Sequence, residues 1–172
     1  RHGKYLLARL DDGRTWVLHL RMTGSLVHAG ADAPVHRFER ARVELDDGSS
    51  LRLNDLRKFA TWHLVDDPAE AMPHTGPDAL SEAFSARWLR EACSRRSTSI
   101  KAVLLMQERF PGIGNWMADE VLWRAGFHPQ AKAGAFGPKS VRKLHATLRE
   151  VCAEAMDVIG KDWSDPPDSC HG

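Results

Sequence analysis

The sequence predicts an α+β chain, a hairpin-built β region followed by an all-helical region, on three observations. Two Asp-Asp-Gly turns, Asp11-Asp12-Gly13 and Asp46-Asp47-Gly48, each separate apolar runs, and Asp-Gly in that setting is a strong hairpin signal. From Ser81 onward the apolar spacing becomes helical, most clearly where Val141, Leu144, Leu148, Val151, Cys152 and Ala155 form one stripe. Between the two patterns, Asp66 to Pro77 is rich in Pro, Asp and Ala. This divides the chain into a β region at 1–66, a linker at 67–79, a helical region at 80–160 and a polar, Pro-rich tail at 161–172.

Taken in order, Tyr5, Leu6, Leu7 and Leu10 form a first strand, and Trp16 to Leu20 returns after the first Asp-Asp-Gly turn. Met22 to Leu26 reads as a Gly-containing loop, and Ala29 to Pro34 as a small-residue connector. A second hairpin follows, with Ala41 to Leu45 and Leu51 to Leu53 as its arms, then a closing loop Asn54 to Phe59 and a short strand Thr61 to Val65. The strands are expected to make one antiparallel sheet. In the helical region Ser81 is expected to cap a helix running to Cys93, and Thr98 or Ser99 one from Ile100 to Gln107. A third helix follows the turn Phe110-Pro-Gly-Ile-Gly-Asn115 and is ended by His128-Pro129, after Gly126 at its C-terminal side, and Pro138 opens the fourth.

The formal net charge of +1 conceals a segregation of charge. From Arg95 to Arg149 there are ten basic residues against three acidic, and from Glu150 to Gly172 one against six. A basic block suits a polyanion, because neutralising phosphates releases counterions; it equally suits a solvated helical face. The chain has no apolar run of bilayer-spanning length and no signal peptide, so the expectation is a cytoplasmic protein with no membrane partner. Three distant cysteines, Cys93, Cys152 and Cys170, do not make a disulfide framework. Cys170-His171 supplies half of a zinc site at most, so no metal is expected in this chain.

The basic block surrounds the turn Phe110 to Asn115. Gly112 and Gly114 permit a tight turn, and Asn115 stands where an N-cap belongs. The open N–H groups and positive dipole end of such a helix suit a phosphate. The same spacing also fits an ordinary connection between packed helices. Likewise Arg57, Lys58 and Phe59 offer two cations beside a ring on a loop, a combination that fits phosphate and base-stack contacts or simply a packed Phe with solvated neighbours. Met22 has the same two readings.

A set of spaced motifs decides between these readings. Gly3-Lys4-Tyr5-Leu6-Leu7, His19-Leu20-Arg21-Met22-Thr23-Gly24, Asn54-Asp55-Leu56-Arg57-Lys58-Phe59, Gly76-Pro77, and Ile100-Lys101 through Gln107 to Gly112-Ile113-Gly114-Asn115 with Ala118 and Glu120 occur in that order. Together they resemble the formamidopyrimidine-DNA glycosylase and endonuclease VIII family. The resemblance implies a β-sandwich joined to a helix, two-turn, helix DNA-binding domain, and a monomeric, bacterial, nucleoid-associated enzyme of base-excision repair. Its partner is damaged double-stranded DNA, from which it removes oxidised bases before cutting the abasic strand by elimination.

Carried over by position, Lys4 matches a lysine near the lesion phosphate that serves as proton donor in β-elimination. Met22, Arg57 and Phe59 match the three residues that fill the gap left by an everted nucleotide. Asn115 matches the asparagine that binds phosphate beside the lesion. Arg96 falls on a basic DNA-contact position, Lys101 on a lysine near the damaged nucleotide, and His36 on a DNA-binding histidine, although its spacing to Asp46 is longer than usual. Lys58 joins this DNA-binding set as the second cation of its loop.

The family's nucleophile is an N-terminal proline followed by a glutamate, and its C-terminal zinc finger uses four cysteines. This chain contains neither. The expectation is therefore a fragment that lacks activity by itself, with zinc belonging to the finger alone. The rival expectations are a non-catalytic protein that keeps the grip on damaged DNA, and an RNA-binding protein that uses only the helix, two-turn, helix motif; the second leaves Lys4, Met22 and Arg57 to Phe59 unexplained. The preferred oxidised base and the opposite-base preference are not encoded in any loop recognisable here.

Overall fold

The computed structural model describes residues 1–158. The chain divides into two compact units, Arg1–Pro73 and His74–Gly172. The expected tail at 161–172, with Cys170, lies outside the described residues.

The first unit holds six strands: β1 Tyr5–Arg9, β2 Thr15–His19, β3 Gly24–Ala29, β4 Glu39–Glu44, β5 Ser50–Asp55 and β6 Thr61–Val65. They form two three-stranded antiparallel sheets, ordered β1-β2-β6 and β3-β5-β4, where the strand spacing suggests one sheet and the resemblance implies a β-sandwich. Both Asp-Asp-Gly hairpins form, closed by Leu10 N–H to the Arg14 carbonyl at 2.9 Å and Leu45 N–H to the Ser49 carbonyl at 2.9 Å. The two middle strands supply the buried residues Val17, Leu18 and Leu53, as expected for strands paired on both edges.

The segment expected as a loop, Gly24 to Leu26, instead begins β3, which pairs with β5 from Gly24↔Asp55 to Ala29↔Ser50. Its weak apolar signal has a physical cause: β3 is an edge strand with no fully buried residue, half of its positions exposed and half partly buried. Arg52 is buried on β5 and ties down the preceding connector, donating from Nη1 to the carbonyls of Ala33 at 3.0 Å and Pro34 at 2.9 Å. A charged residue thereby orders a segment that has almost no apolar anchor.

The second unit holds α1 Ala86–Cys93, α2 Ile100–Leu104, α3 Asn115–Ala125 and α4 Pro138–Asp157. α1 starts later than expected, because Ser85 caps it through the Trp88 N–H, while the Ser81 hydroxyl bonds the Asp78 carbonyl in the preceding turn. α2 is capped by Ser99 and ends at Leu104, short of Gln107, whose side chain is engaged elsewhere. α3 closes at Gly126, whose left-handed conformation stops it just ahead of His128-Pro129, and α4 opens with Pro138 as expected. The α4 stripe of Val141, Leu144, Leu148, Val151, Cys152 and Ala155 is buried throughout. From Val141 to Cys152 it joins Leu89, Ile100, Leu104, Phe110, Ile113, Val121 and Leu122 in one core.

A charged pair is built into that core. Glu120 on α3 is fully buried and accepts from Arg124 Nε at 2.6 Å, while Arg124 Nη1 reaches Glu154 on α4, also at 2.6 Å. The guanidinium thus ties α3 to α4.

Candidate nucleic-acid interface

The strand registers gather the first unit's candidate residues at one end. Tyr5 pairs with His19, His19 with Thr61, and Gly24 with Asp55. The start of β1 after Lys4, the end of β2 before Met22 and the end of β5 before Arg57 therefore share one edge. There the chain crosses between the sheets twice, through Leu20–Thr23 and Leu56–Ala60. Gly24 makes the first crossing possible: its N–H bonds the Leu20 carbonyl at 3.0 Å, and a Cβ would collide with that same oxygen.

Asp55 fastens the two crossings together. Its carboxylate is 1% exposed and accepts from the Ala60 N–H at 2.8 Å, the Thr23 hydroxyl and the Arg57 N–H at 3.2 Å. These donors, the Ala60 N–H foremost and then Thr23, hold its carboxyl below the usual carboxylate range. The clamp supports Lys58 at φ 59, a left-handed conformation that costs a non-glycine residue about 1 kcal/mol or more.

On this rigid base the loop tips remain open. Met22 is 74% and Phe59 52% exposed. Arg57 lies between them, with Nη1 3.3 Å from Met22 Sδ and its guanidinium carbon 5.2 Å from the Phe59 ring centroid. Met22 from one loop and Arg57 and Phe59 from another, 35 residues on from Met22 to Arg57, thus form one surface cluster containing an apolar chain, a cation and a ring. Lys58 is exposed on the same loop.

Lys4 sits at the same edge. Its side chain is accessible, yet enough protein crowds the ammonium that desolvation lowers its pKa. His19 is lowered chiefly by burial and further by the charges of Arg21 and Lys4. His19 Nδ1 accepts the Arg21 N–H at 3.0 Å, which leaves Nε2 to carry the proton of the neutral ring. His36 packs its ring on Phe38, 5.6 Å between centroids, and Phe38 in turn accepts the Asp55 N–H at its carbonyl.

In the second unit, Asn115 is not the N-cap. Gly114 occupies that position in extended conformation, and Asn115 is the first helical residue, with an exposed side chain. A cap without a side chain leaves the first N–H groups of α3 open. The turn ahead of them is pinned by Gln107, which accepts from the Gly112 N–H at 3.3 Å and donates to the Ile113 carbonyl at 2.7 Å. Gly112, at φ 94, meets the backbone demand of that turn.

Lys101 is held by Asp119 of α3, 2.7 Å from Nζ to Oδ1. Arg96 follows Arg95, itself at φ 58, and its carbonyl accepts the Gly134 N–H at 3.0 Å. The 98–101 backbone is further bonded to 129–133, with Ile100 N–H to the Ala131 carbonyl at 2.8 Å and Ala133 N–H to the Thr98 carbonyl at 3.0 Å. Arg96 and Lys101 therefore flank one braced segment.

Sequence reasoning missed Asp55, Gln107 and Asp119 as organisers of these sites. Asp55 and Gln107 stood inside the quoted motifs, and a polar residue next to a functional loop is the signal that identifies them. The described residues contain no group of three or more His, Cys, Asp or Glu side chains that could hold a metal ion. Cys93 and Cys152 are buried, and burial pushes the Cys93 thiol up to about 11.

Comparison with known proteins bears on this geometry. Residues 75–165 match the formamidopyrimidine-DNA glycosylase H2TH domain, and residues 1–62 match the formamidopyrimidine-DNA glycosylase N-terminal domain. A formamidopyrimidine-DNA glycosylase of Symbiobacterium thermophilum is 43% identical over 168 residues, covering 95% of this chain and 55% of that protein. The Lactococcus lactis enzyme bound to DNA containing an abasic site superposes with a TM-score of 0.86 at 32% identity, over 95% of this chain and 64% of that one. The same enzyme in complex with DNA containing FAPY-dG gives 0.84 at 32% identity, over 92% and 61%. The chain spans 55% to 62% of the length of its curated relatives.

Proposed function

Because the chain belongs to the formamidopyrimidine-DNA glycosylase family, we propose that the protein removes oxidised bases from duplex DNA and then cuts the abasic strand. The observation that carries this reading is the joined cluster of Met22, Arg57 and Phe59 on a buried Asp55 clamp. Everting a nucleotide leaves a void and an orphaned partner base. An apolar chain fills the void, a ring wedges the base step, and a guanidinium hydrogen-bonds the orphan. All three groups are presented together before any DNA arrives.

Phosphates are assigned to Asn115 with the open N–H groups of α3, and to Arg96, Lys101, Lys58 and His36. Lys4 is assigned as proton donor in elimination, since a lowered pKa brings an ammonium closer to the range where it releases a proton. The zinc that the resemblance implies has no ligand set among the described residues, and none of these roles runs through it. The protein would act as a monomer on the bacterial nucleoid.

The test is strand scission. Native protein from its source, incubated with duplex carrying one formamidopyrimidine, should yield a cut strand, and borohydride should trap a covalent protein–DNA adduct. Tight, salt-sensitive binding to the lesion duplex with no cut and no adduct would favour a non-catalytic damaged-DNA-binding protein.

A further inference from the structure

We infer that Met22 is a reversible oxidation site through which peroxide weakens this surface's grip on damaged DNA; the effect on DNA rests on the functional reading above, whereas the site itself does not. Met22 is the most exposed methionine of the described residues, at 74% against 49% for Met156, with Met72, Met106 and Met117 partly buried. Thioether oxidation follows access to the sulfur. A sulfur lone pair attacks one peroxide oxygen, the O–O bond breaks, that oxygen stays on sulfur as the sulfoxide, and the other leaves as water. Sulfur is oxidised and the peroxide reduced.

What makes this methionine more than an exposed thioether is its neighbour. Arg57 Nη1 already points an N–H at Sδ across 3.3 Å. A sulfoxide oxygen is a far stronger acceptor than a thioether sulfur. The new oxygen therefore captures the guanidinium that would otherwise serve the orphaned base. At the same stroke the apolar filler becomes polar. Oxidation at one atom thus disables two of the cluster's three groups, while Phe59, on the other side of Arg57, is chemically untouched. Methionine sulfoxide reductases reverse the change.

The experiment exposes the full chain to graded hydrogen peroxide and follows each methionine by peptide mass mapping. Alongside, the guanidinium N–H signals of Arg57 are recorded by NMR, and affinity for an abasic-site duplex is measured. Met22 should gain oxygen first, and the Arg57 signals should shift with the same dose dependence. Affinity should fall about tenfold and return after sulfoxide reductase treatment. Met22→Leu, whatever its starting affinity, should show neither the Arg57 shift nor the peroxide-dependent loss, and Met156→Leu should keep both. Oxidation of Met156 ahead of Met22, or Met22 sulfoxide with an unmoved Arg57 signal, overturns the inference. Unoxidised chain that binds abasic and intact duplex equally contradicts the functional reading instead, and leaves the mass and NMR results to decide the oxidation site.

Discussion

Arg57 Nη1 donates to Met22 Sδ at 3.3 Å, joining two loops that lie 35 residues apart in sequence. Neither residue is buried, so the contact is not a product of the hydrophobic core. It exists because Asp55 draws the Thr23 hydroxyl and the Arg57 N–H to one carboxylate. The cluster is thus fixed before binding, and less ordering entropy opposes its use.

Phe59→Ala should weaken binding to an abasic-site duplex by about 1–3 kcal/mol, the usual loss when a ring stacked on a base is removed. Met22→Ala should act in the same direction and less than additively, since both flank Arg57. Fluorescence anisotropy with a labelled duplex checks this, and an unchanged affinity in both variants would remove them from the role.

Asp55→Asn should lower the melting temperature at neutral pH, with a smaller deficit in acid. The sign follows from its lowered pKa: stability that comes with the charged carboxylate is present above the unfolded value and is lost as pH falls through the lower folded value. Thermal melts from pH 7 to pH 3 should show wild type and variant converging below about pH 4. Parallel curves would mean that the charge of Asp55 is not what holds the two crossings.

The Lys101–Asp119 pair is partly exposed, and such pairs contribute only about 0–1 kcal/mol. Lys101 can therefore exchange Asp119 for a phosphate at little cost. Lys101→Ala should weaken binding to damaged and undamaged duplex alike and reduce the slope of log K against log salt by about 1. Asp119→Asn should tighten both. A changed melting temperature with an unchanged salt slope would make the pair purely structural.

Arg124→Ala should destabilise the helical unit by about 3–5 kcal/mol, because it removes the cation from a fully buried carboxylate. Adding Glu120→Gln should recover part of that loss. Denaturant titrations of the two single variants and the double variant close the cycle, and additive losses would show that the pair is not coupled.

Much of this fold is legible in the sequence because local chemistry and tertiary demand agree. The Asp-Asp-Gly turns fold as hairpins, and the α4 stripe from Val141 to Ala155 is buried as its spacing predicts. The failures are places where pairing overrides local signal. β3 has too few apolar residues to announce itself and exists because β5 offers it an edge. Asn115 looks like a cap, but Gly114 takes that position and leaves the asparagine side chain exposed. The motifs named the residues of the cluster; only the fold shows that Arg57 touches both of its partners and that Lys101 arrives already paired.

The most direct test of the central claim is the affinity of this chain for two duplexes of equal length and sequence, one with a single abasic-site analogue and one intact. Measured at one moderate salt concentration, the abasic duplex should bind at least about tenfold more tightly, and that preference should collapse in the Met22→Ala, Phe59→Ala double variant. Equal affinity for both duplexes, with a steep salt dependence shared by wild type and variant, would contradict the account and reduce the cluster to a bystander on a generic phosphate-binding surface.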